Sequence, residues 1–336
     1  MLECSGCAVR DLIVEFKMDG DLNNQVFPDI IEFIQSRILK LEENNRYFTL
    51  RENDAKDFVD YSIDHLDISK ISFKIPNRDW QPFYKIEELF EVEWVDRVIR
   101  NEQVICYYQP IVDKNNKIYA YEILSRFLDE GGEILYPGQV FSAAKERGRL
   151  YALDRICRMT AVKYAAKLVN KKAFINFIPT SIYSPEHCLK STNELADRLG
   201  VNPKSLVFEV VETEKIEDVN HLKKIMAFYK ARGYQYALDD VGEGHSTLQM
   251  LEDIKPHYMK LDMKYVQGVT SDKEKQRVAL QFLETALEID SIPLAEGVEQ
   301  KEDFEWLKDA GYQLFQGYYF GKPLPHPLET SMEYSD

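Results

Sequence analysis

The sequence contains no apolar run long enough to cross a membrane, and basic side chains are in the minority. A membrane-spanning helix needs about 18 or more consecutive apolar residues, and no segment of the 336 residues provides them. The 57 acidic and 42 basic side chains give a net charge of −15. Binding to DNA or to an anionic membrane is therefore not expected as the main role. The N-terminus lacks a basic segment followed by an apolar core, so we expect no secretory signal and a cytoplasmic protein.

Cysteine is scarce and odd in number, which argues against a disulfide framework. Three of the five cysteines lie in apolar or helical contexts: Cys106, Cys157 and Cys188. Cys4 and Cys7 form a C-x-x-C pair, and no second pair of this kind follows in the first 100 residues. Three interpretations stay open for the pair, namely two free thiols, a zinc site shared between two chains or with His65, and a redox pair.

The first 94 residues predict a small α+β module that senses a signal or pairs with a partner. Residues 26–45 and 85–101 carry apolar side chains at helical spacing, whereas residues 46–51 and 69–75 alternate like half-exposed strands. The chain changes character near residue 95, and residues 331–336 are expected to form only a tail.

From residue 103 onward, predicted strands alternate with predicted helices. The strands are expected at 104–112, 118–124, 172–178, 205–211, 234–240, 257–262, 292–297 and 312–320. Eight strands with mostly helical connections predict an α/β fold, a (β/α)₈ barrel of the TIM type. Only residues 113–117 join the first two strands, which is the length of a hairpin turn. The barrel is therefore predicted to be modified, with an antiparallel first strand.

Seven of these apolar runs carry a polar residue of the kind found at metal sites, at or near their C-terminal end. The residues are Glu122, Asn176, Glu209, Asp239 with Asp240, Lys260, Glu296 and Gln316. A carboxylate in an apolar run is costly unless it is paired, hydrogen-bonded or bound to a metal. In a barrel the C-terminal ends of all strands meet at one face, which is where TIM-barrel active sites lie. The sequence therefore predicts one site built from many strand ends.

The chemistry of this set favours a hard divalent cation. Oxygen ligands suit Mg²⁺ or Mn²⁺, and the absence of histidine from the strand ends disfavours zinc. Two ions that share a carboxylate from the Asp239–Asp240 pair would accommodate five acidic side chains. Any one of these residues, taken alone, could instead cap a helix or pair with a cation. Capping does not explain Glu122 or Lys260, which have apolar residues on both sides.

Eight short motifs follow one another along the chain. They are Y-Y-Q109-P-I-V, Y-E122-I-L-S-R126, F-I-N176-F, E209-V-V-E212, L-D239-D240, K260-L-D262, A-E296-G-V-E and Q316-G-Y-Y-F-G-K-P-L-P. Their order and spacing resemble those of the EAL-domain family of bacterial cyclic di-GMP phosphodiesterases. The motifs extend over about residues 95–330 and leave residues 1–94 uncovered. The resemblance implies a barrel with an antiparallel first strand, hydrolysis of cyclic di-GMP to linear pGpG with two Mg²⁺ or Mn²⁺ ions, and a homodimer formed through the barrel.

The resemblance also implies a role for each matching residue. Glu122, Asn176, Glu209 and Asp239 match the first-metal ligands, and Asp239, Asp240 and Glu296 match the second set. Lys260 matches a lysine beside the attacking water, with Glu296 as an alternative proton acceptor, and Gln316 matches a glutamine that orients water. Gln109, Leu124 and Arg126 match substrate contacts, with Arg126 on a phosphate. Glu212 matches a glutamate that anchors the loop after its strand.

Two departures from the family pattern stand out. The family's name motif is Glu-Ile-Leu here, and the central Ile123 faces away from the glutamate, so we expect it to be tolerated. After Asp240 the loop has Val-Gly-Glu-Gly, so Glu243 adds a carboxylate beside the predicted metals. Glu243 either faces solvent or alters metal affinity or coupling across a dimer; His245 is not expected to bind metal.

Three functions remain possible at this point. The preferred hypothesis is an active cyclic di-GMP phosphodiesterase, because all the matched metal and lysine positions are present. The alternative is a receptor that binds cyclic di-GMP or a partner protein without cleavage. A barrel acting on another phosphate ester is a third possibility, which the density of motifs disfavours.

Overall fold

The computed structural model describes residues 9–182, 184–210, 219–239, 251 and 254–328. The chain divides into two compact units. Unit 1 comprises the chain up to Glu102 together with Gly138–Leu153, and unit 2 comprises Gln103–Pro137 and the chain from Asp154 onward. The chain thus leaves unit 1, enters unit 2, and returns to unit 1 before it completes unit 2.

Unit 1 contains a five-stranded antiparallel sheet of ferredoxin-like topology. Its elements are β1 (Ile13–Met18), α1 (Asp21–Ile34), β2 (Lys40–Glu42), β3 (Tyr47–Arg51), α2 (Glu52–His65), β4 (Ile71–Lys74) and β5 (Gln81–Pro82). The strand order is β2-β3-β1-β4-β5, and every neighbouring pair is antiparallel. This is the β-α-β-β-α-β arrangement followed by a short edge strand. The prediction of a small α+β module is confirmed.

The helix prediction for residues 26–45 was wrong at both ends. Helix α1 covers Asp21–Ile34, and residues Lys40–Glu42 form strand β2. The buried side chains of α1 end at Ile34, so the helical period stops there and the following apolar residues belong to another element. The predicted helix over residues 85–101 is also two helices, α3 (Ile86–Glu91) and α4 (Trp94–Arg100).

A buried arginine joins three separate segments of unit 1. Arg147, which is 1% exposed, donates to Glu52 at 2.7 Å, to Asp96 at 3.1 Å and to the backbone carbonyl of Leu89 at 3.0 Å. Arg149 donates to the same aspartate at 2.9 Å. Buried charges are tolerated only when they are paired and hydrogen-bonded. This network therefore holds the segment Gly138–Leu153 against the rest of unit 1.

Unit 2 is a closed eight-stranded barrel. Its strands are β6 (Val104–Asp113), β7 (Ile118–Leu128), β9 (Lys172–Phe177), β10 (Leu206–Val210), β11 (Gln235–Leu238), β12 (Tyr258–Leu261), β13 (Ile292–Ala295) and β14 (Leu314–Gln316). Each pairs with the next, and β14 closes on β6. Strand β6 is antiparallel to both neighbours, and the pairs from β7 through β14 are parallel. The predicted barrel with an antiparallel first strand is confirmed.

Helices connect the strands of the barrel, and a short strand β8 (Ile134–Leu135) extends the sheet beside β7. The helices are α5 (Pro137–Glu146), α6 (Leu150–Ala165), α7 (Pro185–Cys188), α8 (Lys190–Arg198), α9 (Val219–Ala231), α10 (Met263–Val266), α11 (Lys273–Glu288) and α12 (Lys301–Ala310). Among the helices that the structure describes, none combines the length and apolar character that a membrane crossing requires.

Candidate active site

The interior of the barrel is filled by one apolar side chain from each strand. This inner layer consists of Ile111, Ala120, Phe174, Val207, Ala237, Tyr258, Leu294 and Leu314. All eight side chains are at most 4% exposed. Because side chains alternate along a strand, the residue two positions further on points to the same side. The layer therefore forms the floor on which a second layer of interior side chains rests.

The second layer is polar in every strand. Two positions beyond each member of the inner layer, or two positions before it on the antiparallel β6, stand Gln109, Glu122, Asn176, Glu209, Asp239, Lys260, Glu296 and Gln316. We call this set the polar ring. It contains the residues that the sequence analysis assigned to strand ends, apart from Asp240, and Gln109 completes it from β6, the first strand of the barrel. The barrel thus brings these predicted residues to one end of its interior.

Glu122 joins three strands of the polar ring. Its Oε1 accepts a hydrogen bond from Asn176 Nδ2 at 2.8 Å, and its Oε2 accepts one from Gln316 Nε2 at 2.7 Å. Asn176 is in turn the register partner of Glu209 in the parallel pair of β9 and β10. The two amide groups therefore turn their N–H donors toward Glu122 and leave their carbonyl oxygens for another partner.

Lys260 is the cation of the polar ring and is 1% exposed. Its Nζ lies 2.7 Å from Glu209 Oε1, 3.5 Å from Asp239 Oδ1 and 3.8 Å from Glu122 Oε2. Glu296 is also an ion-pair partner. One ammonium group thus faces four carboxylates, and the set retains an excess of negative charge.

The burial of this cluster shifts the pKa of its central groups. Burial raises the pKa of Glu209 well above its ordinary value; the nearby Lys260 opposes that rise, and Glu122 and Asp239 add to it. Burial alone would lower the pKa of Lys260, but Asp239, Glu122 and Glu209 together raise it. Lys260 is therefore held as an ammonium ion by its neighbours.

Several oxygens of the polar ring fit a cation. Within the described residues, the buried atoms Asn176 Oδ1, Glu209 Oε2 and Gln316 Oε1 accept no hydrogen bond. Buried polar atoms usually have a hydrogen-bond partner, so a buried oxygen without one calls for an explanation. Carboxylate and amide oxygens are the ligands that Mg²⁺ and Mn²⁺ prefer. The donor set is therefore suited to hard divalent cations.

The described residues do not by themselves form a ready-made metal cage. Among them, no group of three Asp, Glu, His or Cys side chains is arranged to hold a metal ion. The Lys260 ammonium lies between the carboxylates, 2.7 Å from Glu209, and serves as their cationic partner. Asp240, the residue predicted to bridge two ions, lies outside the described residues.

The loops that carry Glu296 and Gln316 are in close backbone contact. Val298 N donates to Gln316 O at 2.9 Å. A Cβ on Gly317 would lie 2.0 Å from the carbonyl oxygen of Val298. No side chain fits there, because the obstructing atoms belong to the backbone rather than to a flexible side chain. The glycine thus sets the distance between these two loops.

We expect Gly317→Ala to lower the free energy of unfolding by about 1–3 kcal/mol, the usual cost of overpacking. The backbone displacement that the added methyl group causes should also move Gln316. It should therefore reduce turnover by more than the loss of stability alone would explain. Gly131→Ala is the matched control, since its added Cβ would meet only the flexible Asp129 side chain at 3.3 Å. Urea denaturation and turnover assays on both variants check this, and equal behaviour of the two variants would contradict it.

The predicted substrate residues lie on the hairpin of β6 and β7. Gln109 is paired with Glu122 across the two strands, and Leu124 and Arg126 follow on the same face. All but Glu122 are half-buried. Tyr107, which the sequence analysis did not single out, is the register partner of Leu124. Its position two residues before Gln109 is the sequence signal that could have identified it.

Other predicted features lie outside the described residues. These are Asp240, Glu212, Glu243, His245, Cys4 and Cys7. Their predicted roles in metal bridging, loop anchoring or thiol chemistry stay predictions.

Unit 1 contains a cavity of about 660 Å³ on the face of its sheet opposite the helices. Its charged lining is largely paired internally, with Lys74 3.3 Å from Glu15 and Lys17 3.3 Å from Asp19. Tyr47 donates to Glu15 at 2.7 Å. This balance of charge does not single out a ligand, in contrast to the uncompensated carboxylates of the polar ring.

The family model of the EAL domain matches residues 92–323. Among curated proteins, the chain is 29% identical over 243 residues to the "Probable cyclic di-GMP phosphodiesterase PdeG" of Escherichia coli (strain K12), covering 70% of this chain and 47% of that protein. It is 24% identical over 247 residues to the "Cyclic di-GMP phosphodiesterase PdeR" of the same organism, covering 71% and 37%. The chain thus spans less than half the length of these relatives.

Solved structures give the same result. A standalone EAL protein from Vibrio cholerae O395, in a cyclic di-GMP-bound form, matches with a TM-score of 0.61 and 36% identity over 69% of this chain and 96% of that chain. The EAL domain of FimX from Pseudomonas aeruginosa, bound to cyclic di-GMP, shares the fold with a TM-score of 0.64 at 21% identity, covering 71% of this chain and 97% of that chain. With its barrel, its polar ring and this match over most of its length, the chain belongs to the EAL domain family.

Proposed function

We propose that this protein is a cyclic di-GMP phosphodiesterase that opens one phosphodiester bond of its substrate and releases linear pGpG. The polar ring is the single observation that carries the proposal, because it gathers four carboxylates, one lysine and three amides at the end of an EAL barrel. The names of the related proteins support the same substrate.

Two Mg²⁺ or Mn²⁺ ions are part of the proposal. Glu122, Asn176, Glu209 and Asp239 would hold the first, and Asp239, Asp240 and Glu296 would hold the second. When bound, such ions lower the pKa of water and neutralise the charge that develops on a phosphate. The unmet oxygens of Asn176 and Glu209 support this assignment.

The other residues act on the substrate and on the attacking water. Arg126 offers a planar donor group to a non-bridging phosphate oxygen. Gln316, held by its hydrogen bond to Glu122, orients the water through its free carbonyl oxygen. Lys260 supplies positive charge beside the phosphate, and Glu296 is then the proton acceptor. Gln109 and Leu124 contact the nucleotide.

A catalytically silent receptor for cyclic di-GMP is the second candidate. One observation favours this candidate. The buried Lys260 ammonium already pairs with Glu209 at 2.7 Å, so it must move away before cations can occupy the same carboxylates. A homodimer through the barrel and a cytoplasmic location also stay predictions.

The direct test is to incubate the purified full chain with cyclic di-GMP and Mg²⁺ or Mn²⁺ and to follow the products by chromatography. We expect linear pGpG to appear and excess chelator to stop its formation. Binding by calorimetry without product in either metal would overturn the enzyme and support the receptor. Absence of both binding and product would overturn both.

A further inference from the structure

The hairpin of β6 and β7 presents one continuous face beside the polar ring. In its antiparallel register, Gln109 is opposite Glu122 and Tyr107 is opposite Leu124. Arg126 is opposite Ile105, one pair further from the barrel interior. Because directly opposed residues and residues two apart share a face, these side chains line the same surface.

Burial changes along this face. At its inner end Glu122 is 8% exposed, whereas Tyr107, Leu124 and Arg126 are only half-buried. Tyr108, which points to the other face of the hairpin, is 2% exposed and belongs to the hydrophobic core. Tyr107 is therefore not a core residue. Its side chain lies on the same face as Gln109 of the polar ring and is partly open to solvent.

Tyr107 and Arg126 form a cation–π pair. The guanidinium carbon of Arg126 lies 5.3 Å from the centroid of the Tyr107 ring. Arg126 Nη1 also donates to the backbone carbonyl of Ser125 at 2.8 Å. Arginine stacks on aromatic faces through its planar group, and the pair is attractive at this distance. The two contacts restrict the guanidinium plane, and its donor edge retains further N–H groups for an acceptor.

We propose that Tyr107 is a positioning residue for Arg126, whose guanidinium it holds ready for a phosphate group of the cyclic dinucleotide. This inference rests on the proposed function and extends it to a residue to which the family resemblance assigns no role. The two non-bridging oxygens of a phosphodiester can both accept from one guanidinium, and they are best met by a guanidinium whose plane is already fixed. An arginine without the ring would have to lose its rotational freedom when the substrate binds, which costs affinity.

Two variants distinguish the role of the aromatic ring from that of the hydroxyl group and from that of side-chain volume. Tyr107→Phe keeps the aromatic face and should retain the wild-type KM. Tyr107→Leu keeps an apolar side chain without a π face and should raise KM about fivefold, the size expected for a cation–π pair that is partly open to solvent, with kcat changed by less than about twofold. In an Arg126→Ala background, Tyr107→Leu should add no further effect, because its partner is gone.

A matched control exists on helix α9. Arg232 stacks on Phe228 at 5.6 Å, on an element outside the hairpin and the polar ring. Phe228→Leu removes the same kind of contact and should leave KM unchanged. Circular dichroism on all variants verifies folding.

The outcomes distinguish this inference from the proposed function. If the wild type hydrolyses cyclic di-GMP but Tyr107→Leu keeps the wild-type KM, or if Tyr107→Phe is as impaired as Tyr107→Leu, the positioning role is wrong. An additional loss in the Arg126→Ala background also overturns it. If the wild type binds cyclic di-GMP without turnover, the proposed enzymatic function is wrong. The same comparison of variants, measured as Kd instead of KM, then decides the role of Tyr107. If the wild type does not bind the nucleotide, both fail.

Discussion

Glu122→Ala is expected to abolish the turnover of cyclic di-GMP, a loss of about 10³-fold or more, comparable to removal of a principal stabilising group from an active site. The reason is the central position of this carboxylate. It accepts hydrogen bonds from Asn176 at 2.8 Å and Gln316 at 2.7 Å and lies 3.8 Å from Lys260. Its removal takes away a predicted metal ligand and frees both amides to turn.

Steady-state turnover with Mg²⁺ or Mn²⁺ measures this effect. Glu133→Ala is the control, because it removes an exposed carboxylate from the same unit without touching the polar ring. Glu122→Gln adds a second comparison, since it keeps the size of the side chain and removes its charge. If Glu122→Ala retained activity near that of the wild type, the assignment of the polar ring as the active site would be wrong.

Arg147→Ala is expected to lower the free energy of unfolding of unit 1 by about 3–5 kcal/mol, the usual cost of removing one partner from a buried ionic network. The arginine is 1% exposed and joins Glu52 at 2.7 Å and Asp96 at 3.1 Å. Without it, both carboxylates stay buried, and Asp96 keeps Arg149 at 2.9 Å and the more distant Arg100 at 3.9 Å. Glu52 then loses its closest cation.

Tryptophan fluorescence during urea unfolding can isolate this effect. Trp80 and Trp94 belong to unit 1 and Trp306 to unit 2, so a Trp306→Phe background reports unit 1 alone. Arg277→Ala provides the control, because Arg277 pairs with Glu274 on the surface of helix α11. An unchanged unfolding midpoint in Arg147→Ala would show that the network does not stabilise the unit.

The barrel could be predicted because its strands β9 to β14 are short, apolar and almost entirely buried. All eight predicted strands overlap observed ones, and the five-residue turn at 113–117 correctly indicated the antiparallel pair of β6 and β7. The polar residues were visible because each interrupts an apolar run. In the structure, each of these polar side chains lies two positions from an apolar side chain of the barrel interior. This regularity could be recognised only once the strand register was known, and the sequence does not contain the register.

Unit 1 was harder to predict for physical reasons. Helix α2 was missed because most of its 14 residues are polar, and only a narrow stripe with Ala55, Phe58 and Val59 brings apolar side chains to the core. Strand β1 was missed although Glu15 and Lys17 alternate with the buried Val14, Phe16 and Met18, the pattern of a half-exposed strand. The contacts of Arg147 connect residues 51 and 95 positions apart, and no local pattern reveals such pairs.

Tyr107 shows the same limit within the site. In sequence it is one of two adjacent tyrosines, and only its spacing of two residues from Gln109 distinguishes Tyr107 from Tyr108. The strand places Tyr108 in the core and Tyr107 on the open face. Function at this position depends on which face a side chain occupies, and that follows from pairing with β7.

The return of the chain to unit 1 through Gly138–Leu153 limits how this protein can be rearranged by recombination. Genes that exchange N-terminal modules by a single crossover keep everything downstream intact. Here a crossover near residue 94 would replace Glu52 and Leu89 while Arg147 stays behind with the downstream sequence, and the arginine would lose two of its three partners. A successful exchange must therefore replace both segments or preserve their complementary charges, so the two segments are expected to be inherited together.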